Sequence, residues 1–529
     1  MTINFHEKSN KNKNKKKMGN KNIKIQKNED FKKIGQEANK NSPSQFYLST
    51  NINLTNELKI GKSKNNPKEK YVTLQIIGEG NYARVYKVKN KYTNIEYAMK
   101  VIKKSSACST EEENHILNEI EVLKKLDHPS ILKIFELYSD DTNFSIITEL
   151  CPRGELFNEI IEKGPFNEKY TSYVMYQILS GVNYFHRMHI IHRDLKPENI
   201  LIVEKNKDNK DNLPIIKITD FGTSEVVEKD SKENKSIGNV FYMAPEILKH
   251  NYNEKCDIWS CGVIMYFLLS GKPPFNGRDE EEIYKKILDG KYDLKSPPFD
   301  KLSKNCLNLL ENLLKIDFQQ RYSAEEALHH PWFQEFKSKE IYNKITDRDA
   351  IKVLFKNLKN YKRTSILQEI ALAYLVHQFP RTKDVVNACK LFNKIDKNED
   401  GKISKEELYD SLVGIIKIET LKKDIDLIFQ NLDMDNNGYI EYEEFVRASV
   451  SKEFFLSEKV LKFAFRYFDK DNSGEIELKE IKELLFQNID DKNNDMDEIL
   501  NKIIKEVDKN KDGKINFEEF SDVMKKMIR

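Results

Sequence analysis

Cysteine is scarce in this chain. Six residues (Cys108, Cys151, Cys256, Cys261, Cys306 and Cys389) are scattered through 529 positions with no C-x-x-C pair. That excludes a disulfide framework or a zinc ribbon and fits a reducing cytosol. Long apolar runs are missing too: nowhere do about eighteen apolar residues follow one another, the length a membrane-crossing helix needs. The opening M-T-I-N-F-H-E-K lacks the apolar stretch of a secretory signal, so a cytoplasmic location is expected. Glycine (19) and proline (14) are too few for a collagenous or Pro/Gly-rich chain.

What remains is a charged chain too long for one core, so about three domains are expected. The net charge of +3 hides a gradient: residues 1–70 carry +11, 71–390 about +1, and 391–529 carry −9. Residues 1–70, rich in Lys and Asn, show no hydrophobic period and are read as a disordered, solvated spacer. No specific nucleic-acid partner is expected for them, and at most a peripheral contact with anionic membrane. Residue 2 is not Gly, so myristoylation from Met1 is not expected. Met18-Gly19-Asn20 would mimic that signal only with a start at Met18, and Ile23 then stands where Ser or Thr is wanted. From 71 to 333, short β-rich runs give way past Glu155 to helical patterns. The polar insert E-K-N-K-D-N-K-D-N before Leu213 reads as a hairpin tip. Residues 334–383 form a basic amphipathic stretch, and 384–450 and 451–529 each hold two copies of one unit.

That unit is a twelve-residue loop beginning at Asp396, Asp433, Asp469 and Asp508, spaced by 37, 36 and 39 residues. A hard cation wants about six or seven oxygens, and the loop offers them at fixed positions. Side-chain ligands fall at Asp396, Asn398, Asp400 and Glu407; Asp433, Asp435, Asn437 and Glu444; Asp469, Asp471, Ser473 and Glu480; and Asp508, Asn510, Asp512 and Glu519. Lys402, Tyr439, Glu475 and Lys514 would supply backbone carbonyls. Gly401, Gly438, Gly474 and Gly513 permit the sharp turn, and Ile403, Ile440, Ile476 and Ile515 should join paired loops through a β-bridge. These loops resemble EF-hands, and their spacing resembles calmodulin, which implies up to four Ca2+ ions. Loops two and three carry an additional acid (Glu441, Glu477) where the others have Ser404 and Asn516, so the four should differ in affinity.

A second set of motifs lies upstream. His192–Asn199 reads H-R-D-L-K-P-E-N, Asp220-Phe221-Gly222 reads D-F-G, and Ala98-Met99-Lys100 follows G-E-G-N-Y-A-R-V (Gly78–Val85). Ala244-Pro245-Glu246, D-I-W-S-C-G from Asp257, and Arg321 complete the order. Together they resemble a protein kinase across about 71–333. The resemblance implies ATP with Mg2+, Asp194 as catalytic base, Lys196 on the transferring phosphate as in Ser/Thr kinases, and Asn199 and Asp220 on magnesium. It further implies a nucleotide site built from Gly78, Glu79, Gly80, Asn81, Ala83, Val85, Ala98, Lys100, Glu119, Thr148, Glu149, Cys151 and Glu155. A Glu119–Lys100 pair and a Glu246–Arg321 pair are expected.

Two positions depart from the pattern. Ala83 replaces the third loop glycine, at a cost of about 1 kcal/mol if that residue needs positive φ. Asn239 replaces a threonine whose hydroxyl ties the catalytic aspartate to the lysine, so slower activity is expected. Glu155 and Glu198 should favour a basic residue three before the acceptor. Lys285 stands where basophilic relatives have another glutamate, and should discourage a second basic residue two before it. Protein substrates with upstream basic residues are therefore the expected partners, and Ser365, in K-R-T-S, is a candidate autophosphorylation site.

Kinase, junction and four EF-hands in one chain resemble the calcium-dependent protein kinases. That implies an α+β, two-lobed kinase fold followed by an all-α calmodulin-like domain, monomeric and switched intramolecularly. Leu354, Leu358, Tyr361, Leu367, Ile370 and Leu375 make one apolar junction face, and Lys352, Lys356, Lys359, Lys362 and Arg363 a basic one. An acidic EF-hand module could grasp such a helix; the alternative is a helix packed permanently on the kinase. The resemblance implies that the junction inhibits the active site until calcium opens the EF-hands. Rival readings are a calcium buffer with a dead kinase lobe, and a constitutive kinase whose EF-hands serve localisation.

Overall fold

The computed structural model describes residues 61–63, 66–79, 83–104, 119–120, 122–123, 126–205, 213–226, 239–249, 251–336, 348–361, 365–379, 382–398, 400–416, 418–433, 437–450, 452–485 and 494–526. Gly80, Asn81, Asp435, Lys362, Arg363 and residues 1–60 lie outside them. Among the described residues no helix is long and apolar enough to cross a membrane.

Alternating apolar and polar runs near the start build a six-stranded sheet in the order β1-β5-β6-β4-β3-β2. Its strands are β1 (Gly61–Ser63), β2 (Tyr71–Glu79), β3 (Ala83–Asn90), β4 (Glu96–Lys103), β5 (Ile134–Ser139) and β6 (Asn143–Glu149). Because side chains alternate across a strand, β4 divides its residues between two faces. Tyr97 and Met99 join a small aromatic cluster with Tyr71, Phe135 and Tyr138 on the back, and Ala98 and Lys100 face the other way.

The second lobe is helical. Helix α1 (Glu168–Arg187) starts at Asn167, whose side chain accepts from the Tyr170 N–H, and it buries Val174, Ile178, Val182 and Phe185 along one face. Helix α2 (Lys255–Ser270) is apolar all round and buried on nearly every side, the pattern of a central core helix. Gly262 lets it approach closely, since a Cβ there would meet Leu314 at 2.8 Å. The polar insert caps a hairpin of Ile200–Lys205 on Pro214–Ile218; its tip is outside the described residues.

Beyond residue 347 come α3 (Arg348–Asn360), α4 (Ile366–Gln378) and four helix–loop–helix units. The apolar junction face is buried as its period predicts: Leu354, Leu358, Tyr361, Leu367, Ile370 and Leu375 share one core with Phe392, Phe445, Phe463 and Phe520 of the calcium units. Lys359 pairs with Asp424 at 2.8 Å.

Candidate active site and calcium loops

Between the lobes, the expected residues converge. Lys100 Nζ lies 2.9 Å from Glu119 Oε2. Burial works to lower the Lys100 pKa, but Glu119 and then Asp220 outweigh it and hold the ammonium charged. Lys196 Nζ donates to Asp194 Oδ2 at 2.5 Å, and Asn199 Nδ2 donates to the same oxygen at 3.1 Å and to the Asp194 carbonyl at 2.8 Å. Asp220 has φ 66° and opens the short turn Phe221–Thr223. Phe221 is fully buried, 4.6 Å from the His192 ring.

The two departures resolve differently. Ala83 is an ordinary strand residue paired with Ile102 and is not among the residues with positive φ, so the expected backbone cost does not arise. Asn239 contacts Asp194 Oδ1 through its backbone N–H at 3.2 Å, and its side-chain oxygen accepts from the Phe241 N–H. The side chain thus caps the turn Val240–Tyr242, and the main chain makes the tie to the aspartate.

Ala98 pairs with Thr148, and Val85 with Lys100, which brings these residues of the nucleotide list to one region of the sheet; Gly78 sits opposite Val85 and Glu79 opposite Arg84. Thr148 is buried, and Cys151 is partly buried. The Glu149 carboxylate accepts from Lys217 Nζ and from the Lys133 N–H, both at 2.9 Å. Glu155 has its pKa raised by burial and by Glu198 nearby, two acids crowded together. Glu246 and Arg321 form the expected buried pair, with the second contact at 3.0 Å. Asp257 proves central: it accepts from the N–H groups of His192 and Arg193 at 2.9 Å each and meets His186 Nε2 at 2.9 Å.

The calcium loops fit their ion. In each one the first aspartate accepts the glycine N–H (Gly401, Gly438, Gly474, Gly513) at 2.9–3.0 Å. The final glutamates Glu407, Glu480 and Glu519 fold back to accept from N–H groups at the start of their loops. Asp469, Asp471 and Glu480 bring carboxylate oxygens within 4.8 Å of one another, the convergence a hard cation requires. Ile403 pairs with Ile440, and Ile476 with Ile515. The bridges also bring together charges that lie far apart in sequence. Lys402 reaches Glu441 at 3.2 Å, and Lys514 reaches Glu477 at 3.3 Å, so the lysine of each poorer loop partly offsets the additional acid of its partner.

A protein kinase domain model matches residues 71–333, and an EF-hand domain pair model matches 386–449 and 458–525. Calcium-dependent protein kinase 4 of Plasmodium berghei and its counterpart in Plasmodium falciparum are each 38% identical over 469 residues, covering 87% of this chain and 87% of theirs. Calcium-dependent protein kinase 3 of Plasmodium berghei is 37% identical over 454 residues, covering 85% of this chain and 79% of its own. The fold and site are thus those of a protein kinase joined to an EF-hand module. The chain belongs to the calcium-dependent protein kinase family. It is a calcium-regulated serine/threonine kinase that uses ATP and Mg2+ and binds Ca2+ through its EF-hands.

Proposed function

We propose that this chain phosphorylates Ser or Thr three residues after a basic side chain, and that its junction blocks the active site until calcium draws it away. The observation carrying the catalytic part is the Asp194 carboxylate held by Lys196 and Asn199. In this reading Asp194 orients the substrate hydroxyl and accepts its proton. Lys196, already beside that carboxylate, offsets charge on the phosphoryl group in flight. Lys100, fixed by Glu119, holds the nucleotide phosphates, and the residues from Gly78 to Val85 cover them. Asn199 and Asp220 would hold magnesium, which when bound supplies positive charge to the β- and γ-phosphates. The crowded pair Glu155 and Glu198 favours a cationic substrate residue, because a positive charge there relieves their repulsion. Lys285 on α-helical Glu280–Asp289 is exposed and adds no second acidic subsite.

The gripped junction supports the switch. Its apolar face lies inside the EF-hand core, and its end meets the back of the sheet, where Tyr97 Oη donates to the Gln378 carbonyl at 3.1 Å. That is the face opposite Lys100, so the arrangement corresponds to the released state. One experiment tests the whole reading: phosphorylation of peptides with Arg three or two before the acceptor, across a calcium titration, with Asp194→Asn alongside. Turnover that rises with calcium and prefers the first peptide is expected. Asp194→Asn retaining more than about a tenth of the rate would contradict its role as base, and equal rates in chelator would contradict the switch.

A further inference from the structure

The first calcium loop is unlike the other three. A Cβ on Gly438, Gly474 or Gly513 would meet nothing within 4 Å, whereas on Gly401 it would lie 2.5 Å from Cδ2 of Tyr184 on kinase helix α1. Tyr184 is fixed in turn, accepting the Asp127 N–H at 3.0 Å and stacking on His128 at 5.1 Å. One turn on, at the C-terminal end of α1, Arg187 points a guanidinium nitrogen at Asp400 Oδ2, 3.6 Å away, while its other nitrogen meets Glu325 at 3.2 Å. Asp400 is the fifth-position calcium ligand. Loop 1 therefore rests its turn on a kinase tyrosine and one of its ligand carboxylates against a kinase arginine.

We propose that Arg187 is a tethered counter-cation that weakens calcium binding at loop 1 while the EF-hand module is docked on the kinase. The reasoning is electrostatic. An empty loop presents the carboxylates of Asp396, Asp400 and Glu407, and a nearby guanidinium stabilises that state. Once a divalent cation enters, the charge of these ligands falls from −3 to −1 and the cation repels the guanidinium, so Arg187 stabilises the loaded loop less than the empty one. The positive end of the side chain is favoured where it is, at the negative end of the α1 dipole, and its second partner Glu325 helps to hold it there. By linkage, whatever factor Arg187 takes from calcium affinity, calcium takes from the Arg187 contact. Charges of this size about 6 Å apart in water change affinity about three- to tenfold.

The inference rests on loop 1 binding calcium, and the test separates the two. In the full chain, Lys402→Trp puts an indole at the backbone-ligand position of loop 1, and its emission reports calcium there against the constant background of buried Trp259 and Trp332. In that background Arg187→Ala should lower the half-saturating calcium about three- to tenfold, and Arg187→Glu further. Arg187→Lys, which keeps the charge, should stay within about twofold of the parent, and the Arg187→Ala effect should shrink at high salt. Glu325→Gln, which disturbs Arg187 without removing its charge, should not raise affinity; a rise equal to that of Arg187→Ala would mark local distortion and overturn the proposal. No calcium response at residue 402 overturns both the calcium reading of loop 1 and the inference. A response that Arg187→Ala leaves unchanged, or weakens, overturns the inference alone.

Discussion

Two backbone N–H groups of the catalytic loop end on one buried carboxylate, that of Asp257, and the His186 ring ends there as well. Arg193 meanwhile holds φ 67°, a left-handed conformation that costs about 1 kcal/mol or more for a non-glycine residue. The carboxylate fixes the chain as it enters that bend, and Arg193 Nε adds a bond to the Thr223 carbonyl at 2.6 Å. Removing it leaves two buried donors without a partner. Asp257→Ala should therefore cost about 3–5 kcal/mol, visible as an earlier thermal transition, with turnover falling as Asp194 loses its placement. Asp257→Asn keeps one acceptor and should sit between. Burial works to raise the Asp257 pKa, but the His186 bond and the surrounding donors win and hold it low. The stability it brings is present above the unfolded carboxyl value, about 4, and is lost as pH falls through the lower folded value. The deficit of Asp257→Asn should thus be full at pH 7 and close only in strong acid. At this scale the sequence was legible where chemistry demands one residue type, as at Lys100, Asp194 and Asn199. It was opaque at Ala83 and Asn239, because a letter does not reveal whether side chain or backbone makes the contact.

The elements read more easily than their pairings. The repeated twelve-residue loop and the position of each glycine specified the calcium sites, and the apolar spacing from Leu354 to Leu375 specified a helical face that the structure buries. Ser365, a candidate phosphorylation site from the residues before it, caps α4: its hydroxyl accepts from the Gln368 N–H, the Gln368 side-chain oxygen accepts from the Ser365 N–H, and Gln368 Nε2 donates to the Val523 carbonyl. The residues just before it lie outside the described ones. What the sequence hid was the partner across each bridge, since Lys402 and Glu441 are joined by folding alone. Those exposed pairs are worth little, at most about 1 kcal/mol each, so they narrow the affinity ranking of the loops without reversing it. Loop two keeps four side-chain carboxylates (Asp433, Asp435, Glu441, Glu444) and loop one has three and rests on the kinase. Calorimetry on the whole chain should find that Glu444→Gln abolishes the tighter class of calcium sites and Glu407→Gln a weaker one. Loss of the tight class with Glu407→Gln alone would refute the ranking.

Across the whole molecule, three consecutive residues at the end of α4 connect what the calcium module grips to what the kinase offers. His377 Nε2 lies 2.9 Å from the Ile134 carbonyl oxygen and its ring 5.3 Å from Phe135. Gln378 accepts from Tyr97 through its carbonyl, and Phe379 packs on Phe455 and Phe463 of the second EF-hand pair. Around them Lys133 faces Glu443 at 3.8 Å, and Arg466 covers the Tyr92 ring at 4.1 Å. Nothing in the sequence marks this surface, because Tyr97 and Phe135 read as ordinary strand residues; only the parity of β4, which turns Tyr97 from the nucleotide, and the packing of Phe135 beside it reveal the face. If docking here competes with inhibition at the catalytic loop, weakening it must shift the balance toward the inhibited state without touching the chemistry. Each hydrogen bond contributes about 1 kcal/mol, so His377→Ala with Tyr97→Phe should raise the calcium needed for half-maximal activity about tenfold or more. The rate at saturating calcium should recover, and the rate in chelator should stay low. A junction packed permanently on the kinase gives another outcome: the double variant loses stability, while the calcium midpoint does not move. Midpoint and melting temperature, measured on the same preparation, decide between a docking site that belongs to the switch and one that merely holds the chain together.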